Sequence, residues 1–468
     1  MPPLSPFHDQ VRLSGHQRTL LGLVGVGSML EFWDAYLIGF IMAILAKPWG
    51  LSYGVMGVVL LASGAGAVLG GAVWGMAGDR FGRKPVMVVS LLVLAAASLG
   101  LAFTPAGNWI YMAALRTVIG FCTGGFFVQI SLVHEFIPPR RRGMLTGVVS
   151  AITTGGLLLG AFSGAYVIPV IGWRWTFALG AVPAVVGLLG AAFIPESARW
   201  LSLHGRDAAA RASVAWALGE PEYHGGLDVP ERGTGRWPEI FRYPRNVLTT
   251  TLVNLGLMTG YYGIVLWAPT LLAQVGGVTP AAAAKVMIVF AMLGMASRLI
   301  AARLADRIGR RKVGGCLALG AAVATVLAGL AGHGDLGSAT LFWLPLLLAF
   351  VLADGGFSVC ALYSTEVWPS RLRGSGSGFG GLTGSVGKML GPIGLAVVVG
   401  SGNIVGPAAT ASALVPAFAF LAVCLLICGL TYLTIGIEAR GRSLEAIDQG
   451  FERPAAGAGA KARLEETR

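Results

Sequence analysis

Charge is scarce in this sequence. Of 468 residues only 12% are Asp, Glu, Lys or Arg, against about a quarter in an ordinary soluble domain, while 55% are hydrophobic and the mean hydropathy is +0.73. A water-soluble enzyme of this length would need charged surfaces over two or three domains. Here the charges gather in short strips between long apolar runs, so the chain is expected to be a polytopic membrane protein. Cysteine is scarce too: Cys122, Cys316, Cys360, Cys424 and Cys428 all fall inside apolar runs, with no CxxC and no His/Cys cluster. That excludes a disulfide framework and leaves neither a metal site nor a cofactor to expect; the thiols read as core packing residues. The six histidines are scattered, which argues against the gathered catalytic groups of a membrane enzyme. No short apolar core with a small-residue cleavage site opens the chain, and the first long apolar run reads as a retained span.

Glycine, by contrast, is abundant. Its 70 residues lack a Gly-X-Y period, and in membrane helices they serve close backbone approach. A span needs about 20 apolar residues, and a window of about 19 residues finds twelve: 20–45, 53–77, 84–104, 109–136, 143–168, 174–194, 247–274, 280–303, 312–331, 340–365, 374–400 and 411–436. The expected organisation is a tail (1–19), a six-helix bundle (20–195), a linker (196–246), a second six-helix bundle (247–437) and a C-terminal tail (438–468). The net charge of +12 raises the question of nucleic acid, and position answers it. Of 34 Lys and Arg, 28 sit in the tails and the even-numbered links, against Lys47, Arg174 and Lys285 in the others. The positive-inside rule then places both termini and the linker in the cytoplasm, and nucleic-acid binding is not needed. Within the linker, residues 206–220 read as a helix lying on the membrane surface.

The sequence repeats internally. Gly75 to Lys84 (GMAGDRFGRK) recurs 227 residues later as Ala302 to Arg311. Gly124, Gly125, Phe126, Glu135, Pro138, Arg140, Arg142 and Gly143 recur 231 residues later as Gly355, Gly356, Phe357, Glu366, Pro369, Arg371, Arg373 and Gly374. Two like-oriented halves about an axis along the membrane normal are the plan of a major facilitator transporter.

These motifs resemble that superfamily across about residues 20–448. GMAGDRFGRK is similar to its signature between spans 2 and 3, and Arg116-x3-Gly120-x3-Gly124 to its span 4 arginine motif. Pro195 to Leu201 (PESARWL) and Glu438 to Glu445 (EARGRSLE) resemble the signatures of sugar-porter-like branches. Glu31-Phe-Trp-Asp34 resembles the paired acids of the aromatic-acid/proton symporters, and residues 261–270 resemble their span 7. Two departures stand out. The pair begins with Glu, and the span 11 arginine of the aromatic-acid branch falls on Ser385, with Lys388 one helical turn further on and able to take its place. The span 5 antiporter motif is missing, which favours symport.

Five ionisable residues lie near mid-membrane on these spans: Glu31, Asp34, Arg116, Asp354 and Lys388. Each costs about 2.5–3.5 kcal/mol at a helix centre, so they must pair or face water. Desolvation disfavours a charged carboxylate and an approaching cation favours it, which suits Glu31, Asp34 and Asp354 to proton coupling. A permanent pairing with Arg116 is the alternative for the span 1 acids. Lys388, about 21 Å into its span, is placed to meet a substrate carboxylate or else Asp354. Arg116, Trp33, Tyr261, Tyr262, Trp267, Asn254, Gln274 and Ser385 complete the candidate substrate site; Arg116 also reads as a structural or gating charge, and the aromatics also as interface anchors. Asp79, Arg83, Glu135, Arg142, Glu196 and Arg199, with Asp306, Arg310, Glu366, Arg373 and Glu438, match the ion-pair network that closes the inner side in resembling transporters. Exposed pairs contribute only about 0–1 kcal/mol each, which suits a gate broken in every cycle.

The expected function is therefore proton-coupled uptake of a small organic anion, an aromatic or other carboxylic acid. The expected setting is a bacterial inner membrane, with the chain acting as a monomer. A sugar or polyol porter is the alternative, and a substrate sensor that does not transport is a more distant one.

Overall fold

In a computed structural model the chain is all-α; the structure describes residues 7, 10, 12–138, 142–227, 237–333, 339–369 and 372–438. Ser14 opens α1 (Gly15–Leu45) with a capping box to Gln17, satisfying N–H groups that have no partner within the helix. Ser52 caps α2 (Tyr53–Phe81) by accepting from Val55 N, and α3 (Arg83–Ala102) follows after one residue. That residue, Gly82, has φ 103°, a backbone that only glycine adopts freely, so the chain reverses with no loop.

The expected fourth span is broken at Gly124 and Gly125 into α4 (Trp109–Thr123) and α5 (Phe126–Glu135). The break follows from close packing. A Cβ on Gly124 would stand 2.4 Å from the Gly71 nitrogen of α2, and the Phe121 carbonyl accepts from Trp74 Nε1 at 2.8 Å as well as from Gly124 N at 3.2 Å. Next come α6 (Arg142–Phe162), a π-helical turn (Ser163–Val167), α7 (Ile168–Ala178) and α8 (Val182–Phe193). The linker holds α9 (Ala198–Leu203) and α10 (Asp207–Leu218), the latter at the expected place. The second half holds α11 (Pro244–Val275), α12 (Pro280–Ile308), α13 (Arg310–His333), α14 (Ala339–Glu366), α15 (Arg373–Val399) and α16 (Pro407–Thr434).

Eleven helical runs among the described residues are long and apolar enough to cross a membrane. One, residues 151–193, is bent back at Gly172 (φ 80°, ψ 161°) and supplies two crossings, which makes twelve.

The halves meet at one end. Tyr53 N donates to the Asn403 carbonyl at 2.9 Å, Gly54 N to that of Ser401 at 3.0 Å, and Val405 N to that of Leu51 at 3.0 Å; the Tyr53 and Thr410 hydroxyls also bond. Below these ties, Gly57 of α2 lies on Ala396 of α15, Gly39 of α1 on the Leu266 backbone of α11, and Gly164 on Ala284 of α12. The Tyr36 and Tyr261 hydroxyls also bond across the halves, at 3.2 Å. At the opposite end α10 docks on its own half: Ser14 Oγ donates to the Ala217 carbonyl at 2.5 Å and His16 stacks on Trp216. Cys122, Cys360 and Cys428 are buried, but Cys316 is exposed, so it faces outward and is not the core packing residue expected.

Candidate functional site

Asp34 and Arg116 meet in the first half. Arg116 Nη1 lies 3.1 Å from Asp34 Oδ2 and 2.9 Å from the Asp34 carbonyl, Nη2 3.2 Å from the Ala35 carbonyl, and Nε 3.2 Å from Ser63 Oγ. Ser98 of α3 donates to Asp34 Oδ1 at 2.8 Å. Both charged groups are buried, and one guanidinium thereby ties α1, α2 and α4 together. This is the structural alternative for the pair.

Glu31 is treated differently, although it lies one turn from Asp34. Its Oε1 accepts from Gln129 Nε2 of α5 at 2.7 Å, while Oε2 has no hydrogen-bond partner and makes no ion pair among the described residues. The two acids are therefore not a carboxylate pair sharing one proton.

In the second half Asp354 of α14 is held by Arg298 of α12, through Nη2 to Oδ1 at 2.7 Å and Nε to Oδ2 at 3.0 Å. Asp354 is thus not joined to Lys388, the partner considered for it from sequence. Lys388 sits half-buried on α15 with its ammonium 5.2 Å above the Tyr262 ring. Beneath it is an aromatic floor: Tyr262 stacks with Tyr36 at 6.3 Å and meets Tyr261 edge-on at 5.2 Å, and Tyr261 packs on Phe357 at 5.8 Å. The Arg298 guanidinium lies 4.3 Å over Phe357, so the two cations flank this floor.

The other candidates are dispersed. Trp33 Nε1 donates to Ser163 Oγ at 3.1 Å, and Trp267 is buried against Tyr53 with Nε1 on the Pro392 carbonyl. Asn254 bonds Ser364 of α14 at 2.8 Å. Ser385 donates to the Gly381 carbonyl of its own helix, and Gln274 is half-buried near the end of α11. Sequence reasoning missed Arg298, Gln129, Ser98 and Tyr36. A lone arginine 18 residues past Pro280 marked the first, and the 225-residue separation of Tyr36 and Tyr261, close to the repeat, marked the last.

The charged end carries one latch per half. Arg83 pairs with Glu135, whose other oxygen bonds Ser197, and Glu196 accepts from the Arg83 and Lys84 backbone at 3.0 and 3.2 Å. In the second half Arg310 pairs with Glu366 at 2.7 Å and Asp306 at 3.0 Å, and Glu438 accepts from the Arg310 and Arg311 backbone at 3.1 and 3.2 Å. Each of these contacts lies within its own half. Asp79 enters through its carbonyl, bonded by Trp200 Nε1, and Arg199 is exposed. The side chains of Arg142 and Arg373, and residues 139–141, 370–371 and 439–468, lie outside the described residues.

The Major Facilitator Superfamily family pattern matches residues 24–392. The niacin transporter NiaP of Acinetobacter baylyi is 29% identical over 84% of this chain and 87% of its own length. The 4-hydroxybenzoate transporter PcaK of the same organism is 28% identical over 77% and 81%, and a D-xylose transporter of Levilactobacillus brevis is 28% identical over 76% and 80%. The solved proton:xylose symporter XylE, bound to 6-bromo-6-deoxy-D-glucose, shares the fold with a TM-score of 0.70 at 18% identity, over 94% of this chain and 99% of that one.

Proposed function

The chain belongs to the major facilitator superfamily, and on that premise we propose that it is a proton-coupled symporter bringing a small aromatic or other carboxylic acid into the cell by alternating access. One observation carries the substrate class. Lys388 stands over stacked Tyr262 and Tyr36 with no carboxylate in ion-pair range among the described residues, whereas the buried guanidinium groups of Arg116 and Arg298 both have one. A flat ring bearing a carboxylate satisfies both features, stacking on the floor while its anion meets the ammonium. In a low dielectric a close pair of this kind is strong. Relatives named for niacin and 4-hydroxybenzoate support the same class.

Of the three acids suited to coupling, Asp34 and Asp354 are held by arginines, and Glu31 takes the proton in this proposal. The basic strips support an orientation with the latched end, both termini and the linker 196–246 on the cytoplasmic side of an inner membrane. On that orientation the tied end faces outward. One chain holds all of these groups, so a monomer suffices.

A sugar porter is the second reading, favoured by the D-xylose relative. Purified protein in proteoliposomes, given nicotinate, 4-hydroxybenzoate or D-xylose under an inward proton gradient, separates the two. Accumulation of an aromatic carboxylate is the expected result, and accumulation of xylose alone overturns it.

A further inference from the structure

Five Asp, Glu, Lys or Arg side chains are buried among the described residues: Glu31, Asp34, Arg116, Arg298 and Asp354. Four cancel as two ion pairs, each within one half. Glu31 is left over. Its Oε2, Gln129 Oε1 and, one turn back on α1, Ser28 Oγ are all buried without hydrogen-bond partners. The charged and titratable groups around it are Asp34 on its own helix, and Arg116 and the Cys122 thiol of α4; α5 brings the neutral Gln129. Arg116 is already committed to Asp34, so no cation is available for Glu31. Among the described residues near mid-membrane the matching remainder is Lys388, a cation with no acid in ion-pair range. At 1.5 Å per residue the two lie about 21 and 16 Å from the tied ends of α1 and α15, at comparable depth in opposite halves.

We infer that Glu31 and Lys388 form a divided charge pair that fixes the stoichiometry at one proton per monoanion, so that the cycle moves no net charge. The inference rests on the carboxylate-symport reading above. While the halves change places the site must close on both sides, and a net charge enclosed there without a counter-charge is disfavoured. With Glu31 ionised and Lys388 protonated, the empty site sums to zero. A bound monoanion alone makes it −1 and a proton on Glu31 alone makes it +1, whereas both together restore zero. Only the empty and doubly loaded protein therefore interconverts readily, and proton and cargo are coupled without touching. Two consequences follow for specificity. A dianion leaves the loaded site at −1 and is refused. A neutral amide leaves it at zero with Glu31 ionised, and so travels without a proton.

The test uses the full-length protein in proteoliposomes with radiolabelled nicotinate, nicotinamide and the dianion isophthalate. For the wild type, a one-unit inward pH gradient should sustain about a tenfold nicotinate ratio. A potential of about 100 mV, which acts on every net charge moved, should leave that ratio unchanged, and nicotinate addition should give no current. Isophthalate should not be accumulated, and nicotinamide should equilibrate without concentrating. Glu31→Gln should lose net uptake yet keep nicotinate–nicotinate exchange, because its loaded site is neutral and its empty site is not. Adding Lys388→Met to that variant should restore the empty return and permit nicotinamide flux, a rescue that a merely structural role would not produce. A nicotinate-induced current, or pH-driven accumulation by Glu31→Gln, overturns the inference while leaving the carboxylate reading intact. Xylose uptake with no carboxylate uptake overturns both.

Discussion

Arg298 and Asp354 form a two-point ion pair, at 2.7 and 3.0 Å, with both side chains buried between α12 and α14. The buried pair of the first half, Arg116 with Asp34, spends a single carboxylate contact and gives three further N–H groups to two backbone carbonyls and Ser63. Both pairs fasten helices of one half to each other, and neither crosses to the other half.

Breaking such a pair strands a buried charge, which costs about 3–5 kcal/mol, whereas replacing both members is far less harmful. Arg298→Met is therefore expected to lower the thermal unfolding temperature in detergent more than the double change Arg298→Met with Asp354→Leu. Equal losses would show that the pair carries no coupling energy.

Asp34→Asn keeps the Ser98 contact but removes the charge facing Arg116. The protein should lose stability, by about the same 3–5 kcal/mol, while the molecules that remain folded still accumulate a carboxylate on a pH gradient. Loss of accumulation with unchanged stability would move the coupling role from Glu31 to Asp34.

Lys388→Ala should weaken binding of nicotinate by about 1.5–3 kcal/mol, the range for a hydrogen bond to a charged group. That is roughly 10- to 150-fold in dissociation constant. Lys388→Arg keeps the positive charge and should lose much less, and nicotinamide affinity should change little in either variant. Thermal-shift titration measures all three, and an equal loss for acid and amide would assign Lys388 to packing.

At Gly57 an added Cβ would lie 2.6 Å from the Ala396 methyl, so Gly57→Leu should hold the tied end apart. Uptake should fall by at least an order of magnitude, for a closure penalty of about 1.4 kcal/mol or more. A cysteine placed at Ser401 should become reactive to an impermeant thiol reagent added from that side. Unchanged reactivity would mean that α2 and α15 do not part there.

The twelve spans were legible because crossing a bilayer imposes a length and a composition on each segment. The repeat carried Arg83 and Glu135 over to Arg310 and Glu366, and the resemblance added Glu196 and Glu438, all at helix ends. Which buried charge meets which was not legible. Glu31 and Asp34 share a face and a chemistry, yet one receives a guanidinium and the other an amide, because Arg116 comes from α4 and Gln129 from α5, on opposite sides of the break at Gly124 and Gly125. Asp354 found Arg298 and left Lys388 to the Tyr262 ring for the same kind of reason. Periodicity within one helix fixes the face a residue takes, whereas the partner opposite it is set by how two helices pack, which pattern along a single segment does not contain.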